Sequence, residues 1–218
     1  MIKWSFSGLK DFVNCPRQFY EIKIAQNYTK RVSEQMTYGT AVHKALEDYV
    51  RDGSPLPKNY EQYKKYVDPL MQVAGRRYAE YQMALDQNKR PCAFDAAEYW
   101  VRGIADLVIV DDDRAFIVDY KTGSARNPDP NQLKLMALMA YAHFSNVNTI
   151  KASLMFVAHN TLVFEEYKRE DQQKLWATFE PDLNRLQMAY ANNMWPENPG
   201  FLCRRWCPVT TCRFNGER

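Results

Sequence analysis

The chain has 218 residues, 46% hydrophobic and 25% charged, with a formal net charge of +3. These values fit one soluble globular domain. No run approaches the roughly 18 apolar residues of a membrane span, and MIKWSFSGLKDF has no signal-peptide stretch, so a cytoplasmic chain with no membrane partner is expected. The weak positive charge permits a polyanionic partner without arguing for one. The 14 Tyr, 11 Phe and 5 Trp suit a core and also stacking on nucleobases.

The first 92 residues read mainly as helix. Ser7 is the expected cap of a short helix carrying Leu9, Phe12 and Val13, and Pro16 fits the first turn of the next. TYGTAVHKALEDYV places Tyr38, Ala41, Val42, Ala45, Leu46 and Tyr49 on one helical face. After the break DGSPLP, the spacing of Tyr63, Tyr66, Val67, Leu70, Met71, Tyr78 and Tyr81 predicts a long helix from about Tyr60 to Gln87, with Gly75 counting against it. Residues 93–170 change period. EYWVRGIADLVIV and RAFIVDYKT read as strands joined at DDDR, NPDPNQLKLMALMAYAHF as a helix, and TIKASLMFVAH with TLVFEEYK as a second hairpin about His159-Asn160. Residues 171–194 read as helix with Pro181 interrupting it, and 195–218 as an aperiodic tail rich in Pro and Cys. This order predicts a single domain of mixed α/β (α+β) class, a small mixed sheet flanked by helices.

The hairpin at DDDR raises a chemical question. A two- or four-residue loop there gives one register, in which Asp106 lies directly opposite Asp119 and Lys121 shares their face. Facing carboxylates destabilise a sheet. A divalent cation between them, Mg²⁺ or Mn²⁺, reverses the sign, and Lys121 beside it suits holding a water or neutralising a phosphate. Two carboxylates and a lysine on one face suit metal-assisted phosphodiester hydrolysis. A structural salt bridge within a strand is the other reading.

Gly103-Ile-Ala-Asp106 followed by Asp119-Tyr-Lys121 resembles the GxxD…(D/E)xK signature of PD-(D/E)xK nucleases. Gly39-Thr-Ala-Val-His43 is similar to the GxxxH motif of their RecB-type branch, which includes the iron–sulfur CRISPR-associated adaptation exonucleases and phage homologues. SFSGLKDFVNCPRQFY resembles that branch's opening segment, and the likeness runs from Ser5 to Cys212. It implies a restriction-endonuclease-like core in which Asp106, Asp119, the carbonyl of Tyr120 and His43 hold the metal while Lys121 positions water. Gln132 matches the start of the branch's QxxxY motif; Met136 stands where its Tyr is expected, leaving Tyr141 as a candidate replacement. Glu98 and Glu47 are candidate assisting carboxylates.

Cys203, Cys207 and Cys212 cluster in the tail, and Cys15 lies near the start. One distant and three C-terminal cysteines resemble the branch's 4Fe–4S arrangement, although the tail spacing Cx₃C then Cx₄C departs from the usual pattern. Zinc and reduced or disulfide-linked thiols are the alternatives, and Cys92 reads as a bystander. The resemblance implies an exonuclease on single-stranded DNA ends, 5′ to 3′, in recombination, repair or CRISPR-type spacer acquisition, bacterial or phage-encoded. A chain this short could require a protein partner or a second copy to hold DNA. The reading of another class is a catalytically silent DNA-binding or assembly module on the same fold.

Overall fold

In the computed structural model, which describes residues 2–126 and 128–216, the Val- and Ile-rich runs form one six-stranded mixed sheet. Asn127 and the last two residues of the tail lie outside the described residues. The strands are β1 (Arg76–Leu85), β2 (Pro91–Cys92), β3 (Val101–Asp111), β4 (Arg114–Lys121), β5 (Thr149–Phe156) and β6 (Thr161–Lys168), in the order β2-β1-β3-β4-β5-β6. All neighbours are antiparallel except β4 and β5. A parallel pair needs a crossover, supplied by helix α5 (Asn131–His143), which buries Leu133, Met136, Ala137 and Ala140.

The helix α3 (Glu34–Asp52) forms as its apolar spacing predicts and buries Val42, Leu46 and Val50. These pack with Val67 of α4 (Lys64–Met71) on Leu107 and Ile109 of β3 and on Val118 and Tyr120 of β4. At roughly 25 cal/mol per Å² of apolar surface, such burial dominates the folding drive of this region.

The long helix expected from about Tyr60 to Gln87 is not what forms. A 3₁₀ turn (Lys58–Tyr63) and α4 end before Gly75, and β1 follows. Gly75 has φ +111, and a Cβ there would lie 2.4 Å from the carbonyl oxygen of Val110, so only glycine makes this corner. The i, i+3 spacing of Tyr78 and Tyr81 imitates a helix because the strand's alternation is reset between them. Glu80 sits at φ +48, and the ladder of β1 with β3 omits one pair, Glu80 opposite Asp106. Both tyrosines therefore pack on Phe144, at 5.4 and 5.2 Å between ring centroids.

Glu34–Thr178 form one compact unit; residues up to Ser33 and from Phe179 onward form the other. The second unit holds α1 (Phe6–Asn14), α2 (Pro16–Phe19) and α7 (Glu180–Asn192). Ser5, not Ser7, caps α1: its backbone is extended and its hydroxyl accepts the amide of Gly8 at 3.2 Å. Pro16 opens α2 as expected. The helical stretch after Lys168 is interrupted as predicted: α6 (Gln172–Ala177) ends, and Pro181 lies in the first turn of α7. Trp195 gathers Phe12, Phe19, Tyr20 and Tyr190 around it, with centroids 5.0–6.3 Å away. No described helix is long and apolar enough to cross a membrane.

Candidate active site

The register expected for β3 and β4 is the one observed, from Asp111 opposite Arg114 to Leu107 opposite Val118. Ladder pairing stops there, one step short of Asp106 and Asp119. Two carboxylates in that position repel, and the strands part where they would otherwise face. Asp106 turns one oxygen to the backbone N–H of Tyr120 at 2.5 Å and the other to His43 Nδ1 at 3.2 Å.

His43 reaches this point because of Gly39, one turn earlier on α3. A Cβ at residue 39 would come within 2.9 Å of the Thr122 hydroxyl, so glycine lets the helix approach the chain just beyond Lys121. The GxxxH motif is thus a packing contact followed by a candidate ligand. The glycine of GxxD also makes room, since a Cβ on Gly103 would meet the Met139 terminal methyl of α5 at 2.7 Å.

Asp119 is buried and Lys121 half-exposed, with Lys121 Nζ 2.5 Å from Asp119 Oδ2. Gln132, on the first turn of α5, closes a ring with them: its amide N–H donates to Asp119 Oδ1 at 2.6 Å, and its carbonyl accepts from Lys121 at 3.0 Å. Asp119 Oδ2 has only the ion pair with Lys121, without a hydrogen bond.

The sequence reading missed Glu80. The left-handed turn in β1 carries it into the centre, where the ligand atoms of His43, Glu80 and Asp106 all lie within 4.8 Å of one another. Holding a non-glycine residue at positive φ costs on the order of 1–3 kcal/mol and is usual at functional positions. Its signal in sequence was slight: an acid in a strand-like RRYAEYQMAL that was read as helix.

Negative charge accumulates here. Burial, then the charges of Asp106 and Glu47, push Glu80 up to about 7. Burial, then the charge of Asp106, raises Asp119 to about 6 against the opposing pull of Lys121. Burial alone would lower His43, but the hydrogen bond and charge of Asp106, with the charge of Asp119, outweigh it and raise it. Three carboxylates, those of Glu80, Asp106 and Asp119, share one imidazole and one ammonium, an excess that suits a divalent cation with oxygen and imidazole donors.

The other candidates divide. Glu47 lies one helical turn from His43, paired with Lys44 and Arg51. Glu98 is exposed in the loop before β3, where its charge falls on Cys92. Tyr120 supplies a backbone N–H to the centre while its ring packs in the core beneath α3, 6.3 Å from the His43 ring. Tyr141 does not stand in for the missing tyrosine: its hydroxyl donates to the carbonyl of Tyr167, at the opposite end of the sheet from Lys121.

In the other unit, Cys15, Cys203, Cys207 and Cys212 line one small pocket, all as free thiols. Burial, with the neighbouring thiols adding to it, raises the Cys207 thiol. The buried Asn215 amide braces the loop by donating to the carbonyls of Cys207 and Val209, both at 3.0 Å. The sulfurs surround the pocket without closing to a mononuclear ligand set. Among the described residues only His43, Glu80 and Asp106 converge that tightly.

A search of curated proteins finds no match. Among solved structures, a protein of Eubacterium rectale described as a "Putative exonuclease" is similar in fold, with TM-score 0.55 and 14% identity over 98% of this chain and 88% of its own. SSO0001 matches with TM-score 0.48 and 14% identity over 99% of this chain and 88% of its own. The family model described as the PD-(D/E)XK nuclease superfamily matches residues 3–212, nearly the whole length, and the chain belongs to that superfamily.

Proposed function

We propose that the protein is a metal-dependent deoxyribonuclease that digests single-stranded DNA from its ends, 5′ to 3′. The observation that carries the reading is the convergence of His43, Glu80 and Asp106 beside the ring of Asp119, Lys121 and Gln132. Mg²⁺ or Mn²⁺ held by His43, Glu80, Asp106 and Asp119, with the Tyr120 carbonyl beside them, would supply Lewis-acid polarisation of the scissile phosphate and a more acidic water. Lys121 is half-exposed at the mouth of the centre, so its ammonium can hold a water in line with the phosphorus and offset charge on the phosphate oxygens. Gln132 fixes Lys121 and Asp119 in register through two hydrogen bonds, accepting from Lys121 and donating to Asp119. Attack by water then leaves a 5′-phosphate and a 3′-hydroxyl. The single-strand and end preferences rest on the family resemblance and on the description of the Eubacterium rectale neighbour.

The cysteine pocket is assigned a structural iron–sulfur cluster. Four thiolates are the expected donors, and Cys15, Cys203, Cys207 and Cys212 bring them to one pocket. Zinc, with bonds of about 2.3 Å, needs sulfurs drawn closer than they lie here. Iron and acid-labile sulfide in anaerobically purified protein decide between the two metals.

The catalytic reading is tested by digesting end-labelled single-stranded DNA with Mg²⁺, Mn²⁺ or EDTA beside a Lys121→Ala variant. Metal-dependent cleavage that disappears in the variant is expected, and the label position gives polarity. Tight DNA binding without cleavage in either metal replaces this reading with a silent binding module.

A further inference from the structure

We propose that a groove beside the carboxylate centre, between α4 and the turn joining β5 to β6, is a binding subsite for one or more unpaired nucleotides of the substrate strand. The groove has a volume of about 430 Å³ and is lined by Tyr63, Lys65, Tyr66, His159, Asn160 and Gln62, together with Val157 and Ala158. It rests on the nuclease reading and adds where the strand goes.

Its position comes from the parallel pairing of β4 with β5. Lys121 lies opposite Phe156, and the next N–H, that of Val157, donates to the Lys121 carbonyl at 3.0 Å. One wall of the groove is therefore bonded to the strand that carries Asp119 and Lys121. The other wall is tied to the GxxxH helix, because the Tyr63 hydroxyl lies 2.6 Å from that of Tyr38, the residue before Gly39. The walls are thus each bonded to an element of the active centre, one to β4 and the other to α3.

The lining fits a nucleotide. One ammonium, one imidazole, two carboxamides and two phenols face it, and no carboxylate does. This is the reverse of the centre next door, where carboxylates predominate. Lys65 Nζ stands 4.8 Å from the Tyr66 ring centroid, a cation beside an aromatic face. A stacked base and its phosphate need that combination, and stacking tolerates any base because every base has a π face. Gln62 and Asn160 offer both donors and acceptors to a base edge, which a duplex would keep engaged in pairing.

The test uses two variants, Lys65→Glu, which reverses an exposed charge, and Tyr66→Leu, which keeps apolar bulk but removes the π face. In a cleavage-silent Lys121→Ala background without metal, fluorescence anisotropy measures binding of a labelled oligothymidylate of roughly 12 nucleotides, within the span of known single-strand sites. Each variant is expected to weaken binding about five- to tenfold, and Lys65→Glu to reduce the salt slope by about one or more. In otherwise unaltered protein with Mg²⁺, KM for the same strand rises while kcat holds. Binding and KM within twofold of the parent in both variants overturn the subsite and leave the nuclease reading standing. Loss of binding in the variants of a protein that cuts no DNA upholds the subsite and removes the nuclease reading.

Discussion

The carboxylate centre and the cysteine pocket both collect ligand-type side chains from distant parts of the chain, but different forces hold them. At the first, Glu80, Asp106 and Asp119 sit on paired strands and His43 and Gln132 on helices, so packing of the sheet fixes their backbones. Several polar groups there already have partners: Asp106 with Tyr120 N–H, Asp119 with Gln132, Lys121 with both. The pocket instead takes three of its four thiols from a 3₁₀ turn and aperiodic tail. Around it Phe201, Leu202, Trp206 and Phe214 remain exposed. The fold alone makes the first site; under the proposed cluster, the order of the second would depend on what it binds.

The sharpest way to break that contrast is to disturb the fold beneath the first site without touching a ligand. Gly39→Val places branched carbons where even a Cβ would come within 2.9 Å of the Thr122 hydroxyl. The helix must back away and carry His43 from Asp106. A displacement near 1 Å can cost about 10²-fold in rate, so a loss of ten- to a hundredfold in cleavage is expected with the circular dichroism spectrum retained. Gly39→Ala, which asks only that one hydroxyl move, should lose less. Equal activity in both variants and the parent would show that His43 does not need this packing.

A smaller effect is expected at the second site. If the proposed cluster staples the tail, Cys207→Ser removes one of its four donors. Iron and sulfide content should fall, the tail should become sensitive to protease, and the melting temperature should drop by about 5–10 °C, the shift of roughly 2–3 kcal/mol in a chain of this size. Cleavage of a short oligonucleotide should change by less than about threefold, since the carboxylate centre is formed by the other unit. If Cys207→Ser abolished cleavage as Gly39→Val does, the two sites would not be separable in this way.

The sequence revealed most where spacing and chemistry agreed. The β3–β4 register followed from a short loop at DDDR, and α3, α5 and the β5–β6 hairpin followed from their periods. β1 was hidden because a left-handed residue reset its alternation, leaving Tyr78 and Tyr81 at a helical spacing. The same misreading concealed Glu80, whose contribution exists only if its segment is a strand beside β3. Glu98 illustrates the converse error: near in sequence to Gly103, it lies in an exposed loop. Ser5 and Ser7 are both good caps by type, and only the backbone at Ser5 is extended enough to begin the helix. Tyr141, open as a candidate for the QxxxY tyrosine, lies at the far end of the sheet, where its hydroxyl donates to the carbonyl of Tyr167. A period shows which face a residue takes, but not where a strand bends.

The finest test of the contrast is a pH dependence. Glu80 and Asp119 have folded values raised to about 7 and about 6, above those of the unfolded chain, because burial and neighbouring carboxylates disfavour their charge. The folded protein therefore binds protons that the unfolded chain has released. Stability without metal falls as pH rises from about 4 through 7, and recovers as pH falls through the same window. His43, also raised, acts in the same direction: its stabilising charge is complete below about 6.5 and is lost as pH rises through its folded value. A divalent cation removes the repulsion, so Mg²⁺ should raise the melting temperature more at pH 8 than at pH 5.5, by a difference of a few degrees. Glu80→Gln should stabilise the metal-free protein at pH 8 and shrink the response to Mg²⁺. Differential scanning fluorimetry across that window measures both. A Mg²⁺ response that is flat with pH, or unchanged by Glu80→Gln, would mean that the charge gathered at this end of the sheet is balanced without a cation.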